Sequence, residues 1–182
     1  LERRQFLQAG GALVVGFALA PIAPALAQQA ARAAFPLRDV TDDAVDSFLA
    51  IAPDGEVTLY SGRVDLGTGL RAAYRQIVAE ELDVPYERIA MIDGDTALTP
   101  DQGGTGGSTP IVTAGMEVRQ AAATARQALL KLASERLSVP VEQLSITDGV
   151  VRAGNGRTVS YGDLVGGKRF DLKADANAPL KN

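Results

Sequence analysis

Two long stretches of the chain place apolar residues at the spacing of a helix. Leu70–Leu82 has apolar residues at Tyr74, Ile77, Val78 and Leu82, which predicts an amphipathic helix. Ile111–Leu137 is longer and rich in alanine, a composition that suits close packing against a sheet. Short β-type runs surround the two helices at Ser47–Ala52, Glu56–Ser61, Arg88–Ile92, Leu144–Thr147, Val150–Ala153 and Arg157–Ser160. The pattern predicts an α/β (α+β) fold with a mixed sheet and two long helices.

The connections between these runs have recognisable turn chemistry. Pro53-Asp54-Gly55 and Gly154-Asn155-Gly156 each predict a hairpin, and Tyr161–Val165 predicts a short helical turn. One unit also occurs twice: residues 84–94 and 139–149 each follow a long helix with a Val-Pro turn, a short strand and an Asp-Gly pair. We interpret this repeated helix–VP turn–strand unit as architectural.

Composition excludes several classes of function. The 182 residues are 46% hydrophobic and carry a net charge of −4, so there is no electrostatic basis for binding nucleic acid. Histidine and cysteine are both absent, which excludes thiolate or imidazole metal sites, cysteine nucleophiles and a Ser-His-Asp triad within this chain. Any redox chemistry must therefore involve a bound cofactor or a partner.

The N-terminus has the pattern of an export signal. Arg3-Arg4 precedes an apolar run, Ala9–Ala23, and the sequence Ala25-Leu26-Ala27. We interpret residues 1–27 as a twin-arginine signal peptide cut before Gln28, in preference to a membrane anchor, because the run is short and Pro21 and Pro24 close it. The protein is then periplasmic, with membrane association left open. Residues 28–45 are a predicted linker, 46–165 the domain and 166–182 a polar tail.

Two glycine-rich loops precede the two predicted helices. In Asp101–Pro110, Thr109 suits the N-cap and Pro110 the first helical position. Gly67-Thr68-Gly69 precedes the other helix, but neither loop completes a dinucleotide or P-loop fingerprint. Backbone N–H groups of both loops are candidates for binding phosphate oxygens, with Arg63 or Arg71 adding charge. The alternative interpretation is a capped, flexible surface loop and two solvated arginines.

Several ordered motifs resemble one family. Val64–Arg71, Gln76–Leu82, Gly94-Asp95-Thr96 and Gly104–Ser108 are similar to motifs of the molybdenum hydroxylases. The resemblance is to the molybdopterin-binding large subunit of the xanthine dehydrogenase and aldehyde oxidase family, in the branch of isoquinoline 1-oxidoreductase and nicotinate dehydrogenase. It covers about residues 46–170 and implies a fold like that of a molybdopterin-binding domain.

The resemblance also implies a cofactor, a set of contacts and partners. The cofactor is a molybdenum–pterin, either molybdopterin itself or its cytosine dinucleotide form. The residues that fall on cofactor-binding positions are Gly67, Thr68, Gly69, Thr105, Gly106, Gly107 and Ser108. Thr68 stands where many relatives have glutamine, and no catalytic or metal-ligating residue is expected in this chain. Expected partners are downstream molybdopterin-binding domains or a separate subunit, an iron–sulfur small subunit and, as a further option, a cytochrome.

Two functions from different classes follow. The first is the N-terminal cofactor-binding portion of an exported molybdenum hydroxylase, which is inactive alone and which, when complete, hydroxylates an aldehyde or N-heterocycle with oxygen from water. The alternative is a structural or degenerate periplasmic module that no longer binds the cofactor. A third possibility, an ordinary nucleotide ligand, would require a fingerprint that neither loop completes.

Overall fold

The computed structural model describes residues 40–182. The predicted signal peptide and residues 28–39 of the predicted linker lie outside the described residues. Four helices are present in the described part, namely α1 (Val45–Phe48), α2 (Leu70–Leu82), α3 (Ala114–Leu137) and α4 (Tyr161–Val165). The six strands are β1 (Leu49–Ile51), β2 (Val57–Ser61), β3 (Ile89–Asp93), β4 (Leu144–Thr147), β5 (Val150–Ala153) and β6 (Thr158–Ser160). No helix between residues 40 and 182 has the length and apolar character needed to cross a membrane.

The strands form two three-stranded sheets, ordered β1-β2-β3 and β4-β5-β6. The first sheet is mixed: β1 and β2 are antiparallel around the predicted Pro53-Asp54-Gly55 turn, and β3 runs parallel to β2. The second sheet is an antiparallel meander that includes the predicted hairpin around Gly154-Asn155-Gly156. The predicted α/β class, with a mixed sheet and two long helices, is confirmed, and the antiparallel strands form a separate sheet of their own.

The parallel pair of strands determines where the loops emerge. Helix α2 is the crossover between β2 and β3, and Ser61 at the end of β2 lies opposite Asp93 at the end of β3. Parallel strands joined by a helix must finish at the same edge of their sheet. The segments that follow the two strands, residues 62–69 and 94–113, therefore leave from one edge.

The sequence repeat corresponds to a repeated local structure. Helices α2 and α3 are each followed by a left-handed residue, Asp83 and Ser138, both with φ of 50°. Pro85 and Pro140 follow with φ of −54°, and each leads through one 3₁₀ turn into a strand. The two strands, β3 and β4, belong to different sheets. The repeat is thus a way of ending a helix and starting a strand, and it does not duplicate a sheet.

The core lies between the two long helices and the sheets. Tyr74 of α2 is buried against Gly115 of α3, where an added Cβ would lie 3.3 Å from the tyrosine ring. Burial of the Tyr74 hydroxyl raises its pKa to about 12, so the neutral hydroxyl donates to the Pro110 carbonyl oxygen at 2.8 Å. Small residues on α3 allow this close approach, and its buried alanines are Ala114, Ala121, Ala122, Ala123, Ala125 and Ala133.

The predicted strand Ser47–Ala52 is wrong in its first part. Residues Val45–Phe48 form a buried helical turn, and the strand begins only at Leu49. The Asp46 carboxylate accepts hydrogen bonds from the amides of Phe170 and Asp171, each at 2.8 Å. This tertiary contact involves a segment more than 120 residues away in the chain, so local β propensity could not predict the turn.

The predicted start of the second long helix is also wrong. The helix begins at Ala114, and residues 110–113 form turns. Thr109 does not cap it, because the Thr109 hydroxyl donates to the Gly106 carbonyl oxygen at 3.1 Å and accepts from no helix amide. The Pro110 carbonyl accepts from Gly115 N–H as well as from Tyr74, which places the proline one turn before the helix.

Residues 166–182, the predicted polar tail, pack along the body of the protein. This segment belongs to the same compact unit as the rest of residues 40–182. Three side chains of α3 donate to main-chain carbonyl oxygens of the tail: Arg119 to Lys181, Gln120 to Ala176 and Arg126 to Pro179.

A buried carboxylate stabilises this arrangement. Glu81 of α2 is fully buried and pairs with Arg119 at 2.8 Å and with Arg126 at 3.6 Å. Its two oxygens also accept from the Lys181 amide at 3.2 and 3.3 Å. A buried charge is tolerated only when it is paired and hydrogen-bonded, and here both conditions are met by α3 and the tail.

We predict that Glu81→Gln lowers the free energy of unfolding by about 3 kcal/mol, because it leaves two partly buried guanidinium groups without their counter-charge. Urea denaturation of the purified chain measures this. The neighbouring substitution Glu80→Gln is the matched control, since the Glu80 side chain is 68% exposed and its one ion pair among residues 40–182 is with Lys181 at 3.4 Å. Its expected cost is below about 0.5 kcal/mol. Equal effects of the two substitutions would contradict the structural role of Glu81.

Asp65 organises the entry to α2. Its Oδ1 atom accepts from the amides of Gly67 at 2.9 Å, Thr68 at 2.9 Å and Gly69 at 3.2 Å, and its Oδ2 accepts from Arg71 N–H at 3.1 Å. The hydrogen bond from the Arg71 amide, followed by those from the loop amides, lowers the pKa of this carboxyl group. A carboxylate with four N–H donors holds the loop in one conformation and satisfies an unpaired amide of the first helical turn.

We predict that acidification disrupts the ordered conformation of the loop that Asp65 holds. The pKa of Asp65 is lower in the folded protein than in the unfolded chain. The stabilisation of the loop by the Asp65 carboxylate is therefore fully present above the ordinary aspartate pKa of about 3.9, and it disappears as the pH falls through the lower pKa of the folded protein. Amide chemical shifts of Gly67–Gly69, followed by NMR from pH 6 to pH 2, should report a midpoint below that ordinary value. Asp65→Asn should remove the transition, and a wild-type midpoint at or above the ordinary value would refute the assignment.

Candidate functional site

The two glycine-rich loops meet at the edge where β2 and β3 end. Thr105 Oγ1 donates to the Val64 carbonyl oxygen at 2.8 Å, which links the loops directly. Between them lies a cleft of about 510 Å³. It is lined by Leu66, Thr68, Gly69, Leu70, Ala73, Thr105, Gly106, Gly107, Ser108, Pro110 and Ile111. Six of the seven residues predicted to bind a cofactor therefore line one cleft, and Gly67 lies in the loop beside it without lining it.

A buried glutamine fixes the distance between the loops. Gln102 Oε1 accepts from Ser61 Oγ at 2.7 Å and from the Gly62 amide at 3.1 Å, at the end of β2. Its Nε2 donates to Glu117 on α3 at 2.8 Å. At Gly62 an added Cβ would lie 2.2 Å from the Pro100 carbonyl oxygen, so the two segments are in backbone contact. Gln102 was not among the predicted site residues, although its position directly before the glycine run was a usable signal.

The first loop does not offer free amides. Gly67, Thr68 and Gly69 all donate to Asp65, whose carboxylate occupies the place that a bound anion would take. These amides are thus paired within the chain, and the role of Gly67, Thr68 and Gly69 at a cofactor stays a prediction. The first loop contributes the side chains of Leu66 and Thr68 to the cleft lining, and the absence of a side chain at Gly69 leaves open space there.

The second loop has amides that are available. Among residues 40–182, the amides of Thr105, Gly106, Gly107 and Ser108 have no hydrogen-bond acceptor. No atom lies within 4 Å of the position that a Cβ on Gly106 would occupy. Successive unpaired N–H groups around a concave backbone are suited to an anion such as a phosphate group. The apolar part of the cleft suits a flat ring system, so the donors present fit a pterin that carries phosphate.

The two candidate arginines have different surroundings. Arg71 pairs with Asp93 through Nε at 3.1 Å and through a second guanidinium nitrogen, and the Asp93 side chain is only 3% exposed. The hydrogen bond from Arg71 to Asp93 raises the pKa of the arginine, whose charge is neutralised locally. Arg63 has no carboxylate within ion-pairing distance in the described part of the chain, and its buried Nε has no acceptor there. Arg63 is thus the better placed of the two to act on an anion.

The cleft offers little acid–base or metal chemistry of its own. The side chains that line it are apolar or hydroxyl groups. Within residues 40–182 no group of three acidic side chains is placed to hold a metal ion. The arrangement can bind and orient a ligand through backbone donors and an apolar wall.

Sequence comparison identifies the family of this chain. A family model described as "Molybdopterin cofactor-binding domain" matches residues 2–179. A nicotinate dehydrogenase subunit of Pseudomonas putida is 47% identical over 134 residues, which are 74% of this chain and 11% of that protein. The beta subunit of isoquinoline 1-oxidoreductase from Brevundimonas diminuta is 30% identical over 173 residues, 91% of this chain and 22% of that protein.

Comparison of structures agrees with this match. The CO dehydrogenase of Oligotropha carboxidovorans superposes with a TM-score of 0.58 and 28% identity over 64% of this chain and 15% of that chain. The chain thus spans between about a tenth and a fifth of the length of these relatives. The cofactor class implied by the motifs, a molybdenum–pterin, is that of the matching family. The chain belongs to the molybdopterin cofactor-binding domain family, as part of the molybdopterin-binding subunit of the xanthine dehydrogenase family.

Proposed function

We propose that this chain holds the phosphate-bearing part of molybdopterin within a larger molybdenum hydroxylase. The observation that carries the proposal is the row of four amides, Thr105 to Ser108, that have no acceptor among the described residues and that belong to residues lining a cleft with apolar walls. When bound, the molybdenum–pterin supplies the oxidation of a C–H group of an aldehyde or N-heterocycle, with oxygen taken from water. This chain contributes binding and orientation only.

The residues of the cleft divide the work of binding. The amides of the second loop donate hydrogen bonds to phosphate oxygens, and the partial positive charge at the start of α3 adds to their effect. Leu66, Leu70 and Ile111 give the apolar wall against which a flat ring packs. Gln102 keeps the two loops at a fixed separation, so these donors are positioned before the ligand arrives. Asp65 keeps the first loop folded and does not contact the ligand.

The remaining chemistry is assigned to other parts of the protein or its complex. The relatives named above are subunits, which supports a partner for this chain. We assign the base and the metal-facing groups to further molybdopterin-binding domains, and the electron transfer to an iron–sulfur subunit, with a cytochrome as a further acceptor. Export by the twin-arginine route to the periplasm, with membrane association as an option, is part of the same proposal and is supported by the Arg3-Arg4 pattern and the apolar run after it.

A second function is favoured by one specific observation. By the family resemblance, Thr68 falls on a position where many relatives have glutamine, and the amides of Gly67, Thr68 and Gly69 all donate to Asp65. Half of the expected anion site is therefore already satisfied within the chain. A periplasmic structural module that keeps this fold without the cofactor would have the same feature.

We predict that the 182-residue chain alone does not oxidise aldehydes or N-heterocycles, because no acidic or basic side chain lines its cleft and, within residues 40–182, no group of three acidic side chains is placed to hold a metal ion. Dye reduction by the purified chain, with metal analysis of the same sample, checks this. Molybdenum-dependent dye reduction without any added subunit would contradict the prediction.

We predict that Gly106→Leu abolishes retention of the pterin while leaving the fold intact. Gly106 lines the cleft, has no left-handed φ and has empty space above it, so a leucine side chain enters the space that the ligand needs. Co-expression with the other subunits and fluorescence of the released pterin should show at least about a tenfold loss, equivalent to about 1.4 kcal/mol of binding.

Gly104→Leu is the matched control. A Cβ added to Gly104 would also have no atom within 4 Å, and Gly104 has no left-handed φ, but it does not line the cleft. It should retain pterin at the wild-type level. Pterin absent from every complex, wild type included, would favour the structural module, and equal retention by wild type and Gly106→Leu would exclude this cleft as the binding site.

A further inference from the structure

Arg63 forms no ion pair within the described chain. Its side chain is half-buried, and its Nε is buried without an acceptor. No carboxylate between residues 40 and 182 lies within 4.0 Å of its nitrogens, whereas Arg71, Arg119 and Arg126 each pair with an acid. A partly buried and uncompensated charge acts over a longer range than a solvated one, because water screens it less.

The guanidinium group lies against the start of the second loop. A Cβ added to Gly103 would lie 3.7 Å from Arg63 Nη2 and 3.9 Å from its Cζ, so the guanidinium group is within van der Waals distance of that position. The next residue after Arg63, Val64, accepts the hydrogen bond from Thr105. The arginine is therefore adjacent to the loop both through space and along the chain.

The backbone of Arg63 is held by the network that sets the loop separation. Its amide donates to Ser61 Oγ at 3.1 Å, and Ser61 Oγ donates to Gln102 at 2.7 Å. Gln102 immediately precedes Gly103 in the sequence. The same hydrogen bonds that position the two loops thus hold the backbone of Arg63 next to the start of the second loop.

We propose that Arg63 is the electrostatic positioning residue of the cleft, whose unpaired charge favours a phosphate or pyrophosphate group at the amides of Thr105–Ser108. This inference rests on the proposed function, because it takes the second loop as the anion site. It assigns a role to one side chain outside the cleft lining. Arg71, although it belongs to the motif that suggested the family, contributes no net charge because Asp93 neutralises it.

Calorimetric titration of the 182-residue chain with inorganic pyrophosphate tests this assignment. Arg63→Gln should weaken binding by roughly tenfold at low salt, and it should reduce the dependence of the affinity on salt concentration, because one cationic group is lost. Arg63→Lys keeps the charge and should stay within about threefold of wild type with the wild-type salt dependence. Arg152→Gln removes the same charge from an exposed position in the second sheet and should leave both quantities unchanged.

The outcomes separate the two proposals. Pyrophosphate binding by wild type that Gly106→Leu abolishes and Arg63→Gln leaves unchanged would overturn the role of Arg63 and keep the cleft as the anion site. Absence of binding to wild type would overturn both. Thermal unfolding of each variant shows that it is folded. If Arg63→Gln fails to fold, Arg63→Lys decides, because a tenfold loss with an unchanged salt dependence would show that shape, and not charge, matters there.

Discussion

The parallel pairing of β2 with β3 is the constraint on which the cleft depends. With Ser61 opposite Asp93, two segments separated by a helix and a strand must emerge at the same edge. Local hydrogen bonds then shape the two segments. Asp65 folds the first segment, Gln102 fixes the distance between the two segments, and Tyr74 holds Pro110 in place before α3. A change of register by one residue would move the loops apart and expose the buried face of β2.

Glu81 and Arg63 show two different roles of charged side chains in this protein. Glu81 is buried completely and is satisfied by two arginines and an amide, so its role is to join α2, α3 and the tail. Arg63 is only partly buried and has no counter-charge within the described residues. Satisfied charges fix structure, whereas an unsatisfied one near a set of free amides creates a preference for an anionic ligand.

Local patterns predicted what local forces control. The bounds of α2 were predicted to the residue, because its apolar period is regular and Val84-Pro85 ends it. The start of α3 was not, because the contact of Tyr74 with Pro110 is tertiary and overrides a good capping sequence. Glycines indicated both loops of the cleft in the sequence, but they could not show that the amides of the first loop donate to Asp65. Arg63 and Arg71 looked equivalent in the sequence, and only their distances to acidic groups distinguish them.

The docking of residues 174–182 has a consequence for how this surface can change during evolution. Arg119, Gln120 and Arg126 all bind carbonyl oxygens, and every amino acid possesses one. The exceptions are Lys181, whose amine pairs with Asp83 and Glu80, the buried Ala178, Ala174 at the edge of the core, and Asp175, whose Oδ1 accepts from the Asn177 amide. The other docked residues can accept many side chains without loss of these contacts. Substitutions are therefore tolerated at many positions of the docked segment. They are tolerated less at Arg119, Gln120 and Arg126 of α3, whose side chains supply the donors.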